Sequence, residues 1–91
     1  MTPESASSIA ISGLQFIAGD HEQLSRFVAL TGMSPDSMRA EANSPEFMAA
    51  ILNYFMGDEA TLLAFTASYD LNPEDVGKAF MVFSPQEDMG I

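Results

Sequence analysis

Ser44-Pro45-Glu46-Phe47-Met48-Ala49-Ala50-Ile51-Leu52-Asn53-Tyr54-Phe55-Met56 is the stretch whose reading decides the fold. Serine, proline and glutamate in succession supply an N-cap, a pre-set first φ and a carboxylate at the positive end of the helix dipole. At 100° per residue the apolar side chains that follow fill an arc of roughly 260°, with Asn53 the only polar interruption. A helix so patterned needs neighbours on more than one side. It is therefore read as the central helix of an all-α fold.

The flanking chain supplies those neighbours. Upstream, Ala6, Ile9, Ala10, Gly13, Phe16 and Ile17 recur at helical spacing, with Leu14 widening the stripe and Met1–Ser5 left as a frayed start. Gly19 stops this helix and Asp20 caps the next, which turns Leu24, Phe27, Val28 and Thr31 to one side and ends at Gly32. Ser34-Pro35-Asp36 opens a short third helix carrying Met38 and ending near Asn43. Downstream, Gly57-Asp58 punctuates as Gly19-Asp20 does, before a helix presenting Leu62, Phe65, Thr66 and Tyr69, with Leu63 beside them. Asn72-Pro73-Glu74 starts a last helix through Val76, Ala79, Phe80 and Phe83, and residues 84–91 are read as a loose acidic tail. The expectation is one compact domain over 1–91, a bundle of five or six short helices.

Matching punctuation invites aligning the chain on itself, and an offset of 38 lays residues 6–42 over 44–80 without a gap. Seven of the 37 pairs are identical, among them Gly19/Gly57, Asp20/Asp58, Phe27/Phe65 and Pro35/Pro73, against roughly two or three for unrelated sequences of ordinary composition. Two copies of a three-helix unit sharing one core account for this, with pseudo-twofold symmetry one arrangement. Amphipathic helices joined by similar turns also align in this way without common origin.

Thirteen acids against three bases give a net charge of −10, a field that repels nucleic-acid phosphates and anionic lipids and favours basic partners. No cysteine is present, which removes disulfides, thiolate catalysis and cysteine-based zinc sites and fits a reducing compartment. Met1–Ser12 lacks a basic segment followed by a long apolar run, and Phe47–Met56 is too short to cross a bilayer. A cytoplasmic location is expected, with no membrane and no nucleic-acid partner.

Four features invite a chemical reading. Asp36-Ser37-Met38 matches the tripeptide in which acyl carriers bear their modified serine, although Asn43-Ser44-Pro45 breaks the following helix within two turns; a cap-region serine has the same look. Asp20-His21-Glu22 is the one place where imidazole sits among carboxylates, yet adjacent residues on a helix diverge, and acids at a helix start serve its dipole. Asp58-Glu59-Ala60-Thr61 lacks the alternating ligands of a calcium loop. The bases are accounted for locally, as Glu22–Arg26, Glu74–Lys78 and Asp36–Arg39 helix pairs. Methionines remain: Met48 and Met56 are assigned to the core, whereas Met33, Met38 and Met81, near helix ends, form a candidate partner surface for a basic amphipathic segment.

Leu14-Gln15-Phe16-Ile17-Ala18, Asp20, Arg26-Phe27, Ala29-Leu30-Thr31-Gly32-Met33 with Pro35, and Asp58-Glu59 through Leu62-Leu63-Ala64-Phe65 to Pro73 together resemble a family of short, chiefly alphaproteobacterial proteins classed only as a domain of unknown function. The resemblance covers about Ile9–Phe80 and implies a small helical cytoplasmic protein, with no activity, cofactor or catalytic residue to carry over.

The reading is thus a non-enzymatic protein-interaction module with no catalytic residue, cofactor or metal. An acyl-carrier-like protein modified at Ser37, an enzyme or ligand-binder with a carboxylate site between the repeats, and self-association are the alternatives.

Overall fold

The computed structural model describes residues 1–84, and these form six helices. They are α1 (Pro3–Ala18), α2 (His21–Thr31), α3 (Pro35–Ala40), α4 (Pro45–Met56), α5 (Glu59–Ser68) and α6 (Pro73–Phe83). Every start is capped by the side chain before it. Ser44 Oγ accepts from the Phe47 amide at 3.0 Å, Ser34 Oγ from Ser37 at 3.1 Å and Asn72 Oδ1 from Glu74 at 2.9 Å, and proline follows each cap.

The frayed start expected at Met1–Ser5 is not found. Thr2 Oγ1 accepts from the Ser5 amide at 3.1 Å and α1 begins at Pro3, because Thr2-Pro3-Glu4 carries the same cap, proline and acid as Ser44-Pro45-Glu46. The third helix is shorter than expected, closing at Ala40 before the turn that leads to Ser44. Of the tail predicted over 84–91, Ser84 caps α6 through its amide to the Phe80 carbonyl, and the rest lies outside the described residues.

One core is shared by all six helices. Ala6, Ile9, Ala10 and Ile17 of α1, Phe27 of α2, Met38 of α3, Phe65 of α5 and Val76 and Ala79 of α6 bury against Phe47, Met48, Ile51, Leu52, Tyr54 and Phe55 of α4. The central role of α4 follows from its wide apolar arc: α1, α5 and α6 all pack on it. Helix α6 also lies along α1, its buried Val76 and Ala79 being small enough for close approach. Aromatic rings tie the halves together. Phe55 stacks on Phe65 at 4.3 Å between centroids, and Phe16 leans on both at 5.8 and 5.6 Å, each such pair adding about 0.5–1.5 kcal/mol beyond its buried area.

Three side chains assigned to apolar faces sit elsewhere. Met56 is exposed at the end of α4, and Leu63 of α5 is exposed because Thr61, Phe65 and Thr66 take the inward positions. Thr31 is also exposed, closing α2 with its hydroxyl bonded back to the Phe27 carbonyl at 2.8 Å.

The two interhelix junctions separated by 38 residues have closely similar geometry. Gly19 has φ −83°, ψ −4° and Gly57 φ −84°, ψ −6°. Asp20 caps α2 through the amides of Glu22 and Gln23, and Asp58 caps α5 through those of Ala60 and Thr61. Among the described residues the left-handed positions are Gly32 (φ 74°) and Asp70 (φ 56°), again 38 apart. Phe27 meets Tyr54 at 5.4 Å, and the pair obtained by exchanging halves, Phe65 and Phe16, meets at 5.6 Å. The third helices differ. Helix α6 packs along α1 and α4, whereas α3 makes no comparable helix contact; Glu41 and Ala42 stand where α6 has buried Ala79 and half-buried Phe80.

Candidate functional site

A groove of about 550 Å³ runs between α2 and α4. Arg26, Leu30 and Thr31 form one wall, Ala50, Asn53 and Tyr54 the other, and Gly57 and Asp58 close its end. Two helices wall it, whereas the hollow along Glu4, Ser7, Ile11 and Gln15 is the outer face of α1 alone. Leu30 is its most telling residue, a leucine 70% exposed. It lies off the Leu24, Phe27, Val28 stripe that α2 turns inward, and that displacement was the available sequence signal.

The closed end is a charge network. Arg26 Nη1 donates to Asp58 Oδ2 at 3.0 Å and to Thr61 Oγ1 at 3.2 Å. Asp58 Oδ1 meanwhile accepts from the Ala60 and Thr61 amides at 3.1 and 3.4 Å. The Thr61 amide, then its hydroxyl, hold the Asp58 carboxyl below its ordinary pKa against a small desolvation, with help from Ala60 and Arg26. A general acid or base in a ligand pocket would need the opposite displacement. Arg26 was expected to pair with Glu22 on its own helix; it crosses to Asp58 instead, because that carboxylate is fixed by its cap and offers Oδ2 at the same edge. Among the described residues the other ion pair is Arg39–Asp36 at 2.7 Å, as expected, while Glu74–Lys78 does not form.

Tyr54 floors the groove. Its ring stands edge-on to Phe27 and Phe55, each at 5.4 Å, and its hydroxyl donates to Gln23 Oε1 at 2.5 Å. That bond takes the side chain that a capping box would return to the backbone of Asp20. Burial pushes the Tyr54 pKa up, Arg26 opposing it and the charges of Asp58 and Asp20 adding to it.

The sequence candidates are scattered. Met38 is buried and cannot offer surface, because α3 uses it as its anchor in the core; Met33 is half-buried against that core and Met81 is exposed on α6. Ser37 accepts from the Ser34 hydroxyl at 3.1 Å and donates its amide to Ser34 Oγ, the geometry that Ser5 has with Thr2, and the helix it stands in has six residues. Asp20 is occupied as a cap, and among the described residues no three His, Cys, Asp or Glu side chains converge as a metal site. No helix of the described residues is long and apolar enough to cross a membrane.

The family model described as protein of unknown function (DUF3572) matches residues 3–86, and the chain belongs to that family. No curated protein and no solved structure matches it.

Proposed function

We propose that this member of the family is an acidic protein-interaction module acting through the α2–α4 groove. The observation that carries the reading is Leu30, held 70% exposed beside an aromatic floor on a chain of net charge −10. A leucine in that position costs solvation in the free protein and gains it back when covered. The candidate chemical side chains have structural employment, Asp20 and Asp58 as caps and Ser37 inside a capped turn, which supports binding over catalysis. The surface is acidic, so the partner is a basic protein segment. A photo-cross-linker placed at Leu30 in living cells is expected to capture a second, different protein. If cross-linkers at Leu30, Met56, Leu63 and Met81 all return only the uncoupled chain, the interaction reading falls.

Residues 6–42 and 44–80 are, on the same footing, two copies of one three-helix unit. The paired dihedrals at Gly19/Gly57, the paired caps at Asp20/Asp58 and the exchanged ring contacts support common origin over coincidence. The second copy kept a long third helix and the first did not.

A further inference from the structure

Helix α3 is the one helix whose only buried side chain is a thioether, that of Met38. Between Gly32 and Ser44 the residues drawn out of solvent are Met33, Ser37, Met38 and Ala42, so the segment is tied to the core by two methionines and one methyl group. Every other helix buries a hydrocarbon side chain larger than that of alanine: Ile17 from α1, Phe27 from α2, Leu52 from α4, Phe65 from α5 and Val76 from α6. A hydrocarbon keeps its polarity, whereas oxidation turns a thioether into a dipolar sulfoxide. The chain has no cysteine to react ahead of it.

Met38 and Met48 are buried to the same degree and mounted differently. Met38 is 7% exposed and Met48 6%, yet Met48 stands on α4 with buried Ile51, Leu52 and Phe55, while Met38 stands on six residues that pack closely along no other helix. Solvent reaches Met48 only when the core comes apart. Helix α3, too short to persist as a helix by itself, exposes Met38 by leaving alone.

From this contrast we infer that Met38, with Met33 at the start of the same segment, is an oxidation site through which peroxide controls the docking of α3. Hydrogen peroxide gives one oxygen atom to the sulfur: the O–O bond breaks, an S–O bond forms, the sulfur is oxidised by two electrons and the peroxide is reduced to water. The new oxygen is a strong acceptor, and burying it in the core without a donor is costly, so the oxidised helix stays undocked and the core face that Met38 covers is opened. Reduction by methionine sulfoxide reductases returns the thioether, and with it the helix. The α2–α4 groove takes no part in this step.

The test exposes the full chain to dilute hydrogen peroxide and follows each methionine by peptide mass mapping. Met56, 44% exposed, supplies the rate of an open thioether. Met38 should oxidise at least about tenfold faster than Met48 despite equal burial. Ser7 donates its hydroxyl to the Met48 sulfur at 3.8 Å, so Ser7→Ala separates shielding by that bond from shielding by α4, and Met48 should stay slow in it. After oxidation the urea midpoint should drop, and reductases acting on both sulfoxide epimers should restore it. The Met33→Leu/Met38→Leu protein, whose leucines keep the anchor without the sulfur, should show no drop. Met56→Leu should drop as the unaltered chain does.

Equal rates at Met38 and Met48 would mean that oxidation follows global unfolding, and would overturn the inference. So would a fast Met48 in Ser7→Ala, a midpoint unmoved by sulfoxide at Met38, or a drop of the same size in the protein with both leucines.

Discussion

Gly13 and Ile51 face each other where α1 crosses α4, so closely that a methyl group on Gly13 would stand 3.0 Å from Ile51 Cγ2 and 2.8 Å from Phe55 Cε2. The two positions are 38 apart, the offset at which residues 6–42 align on 44–80.

Gly13→Ala sets two effects against each other. An alanine in mid-helix is worth about 1 kcal/mol over glycine, and overpacking a filled core costs about 1–3 kcal/mol. The second wins, because Phe55 is stacked on Phe65 at 4.3 Å and cannot swing away without breaking that contact. The thermal midpoint should fall in Gly13→Ala and fall further in Gly13→Val. A rise in either would mean that the ring yields freely.

Asp58 ties stability to acid pH. Its folded pKa lies below the ordinary value, chiefly through the Thr61 amide and then its hydroxyl. The unfolded chain therefore binds the proton first, and the contribution is present above the unfolded carboxylate pKa of about 4 and is lost as pH falls through the folded value. Asp58→Asn should flatten the acid limb of stability measured by urea unfolding at a series of pH values. An unchanged slope below about pH 4 would contradict this coupling.

Tyr54 does the converse at alkaline pH. Burial raises its pKa despite Arg26, so its contribution is full below the unfolded value of about 10 and is lost as pH climbs through the folded one. The chain has two tyrosines. Phenolate absorbance should therefore show Tyr54 ionising late, and Tyr54→Phe should remove that phase. The same substitution deletes the bond to Gln23 and should cost about 1 kcal/mol.

Met38 is the buried residue by which α3 holds to the core, helped by half-buried Met33. Truncating a buried methionine costs about 2–5 kcal/mol where the site cannot collapse. Met38→Ala should fall at the lower end, since a short helix can settle inward. Leu63→Ala, at an exposed site on α5, should leave stability nearly unchanged, and equal losses in the two would refute the assignment.

Helices were legible because their signals are local. Ser44-Pro45 and Asn72-Pro73 fix a start within three residues, and the Phe47 to Phe55 pattern names the buried arc without reference to anything distant. The partner of Arg26 was not legible, because Glu22 at four residues and Asp58 at thirty-two offer the same charge, and only the tertiary path decides between them. Met38 misled for a related reason. Its position near a helix end says surface, whereas α3 is so short that its one inward methionine must serve as anchor. The groove was half visible: Leu30 off its stripe could be seen, and the α4 wall opposite could not.

The slight attachment of α3 decides where the native protein opens. A six-residue helix held by Met38 and Met33 can lift away while α1, α4 and α6 stay packed, so its amides should exchange with solvent ahead of the rest. Trypsin has three places to cut, Arg26, Arg39 and Lys78, and Arg39 lies on that segment. A brief digest of the folded chain should therefore sever it first at Arg39, at the seam between its two halves, leaving two fragments that stay associated through the rings of Phe16, Phe55 and Phe65.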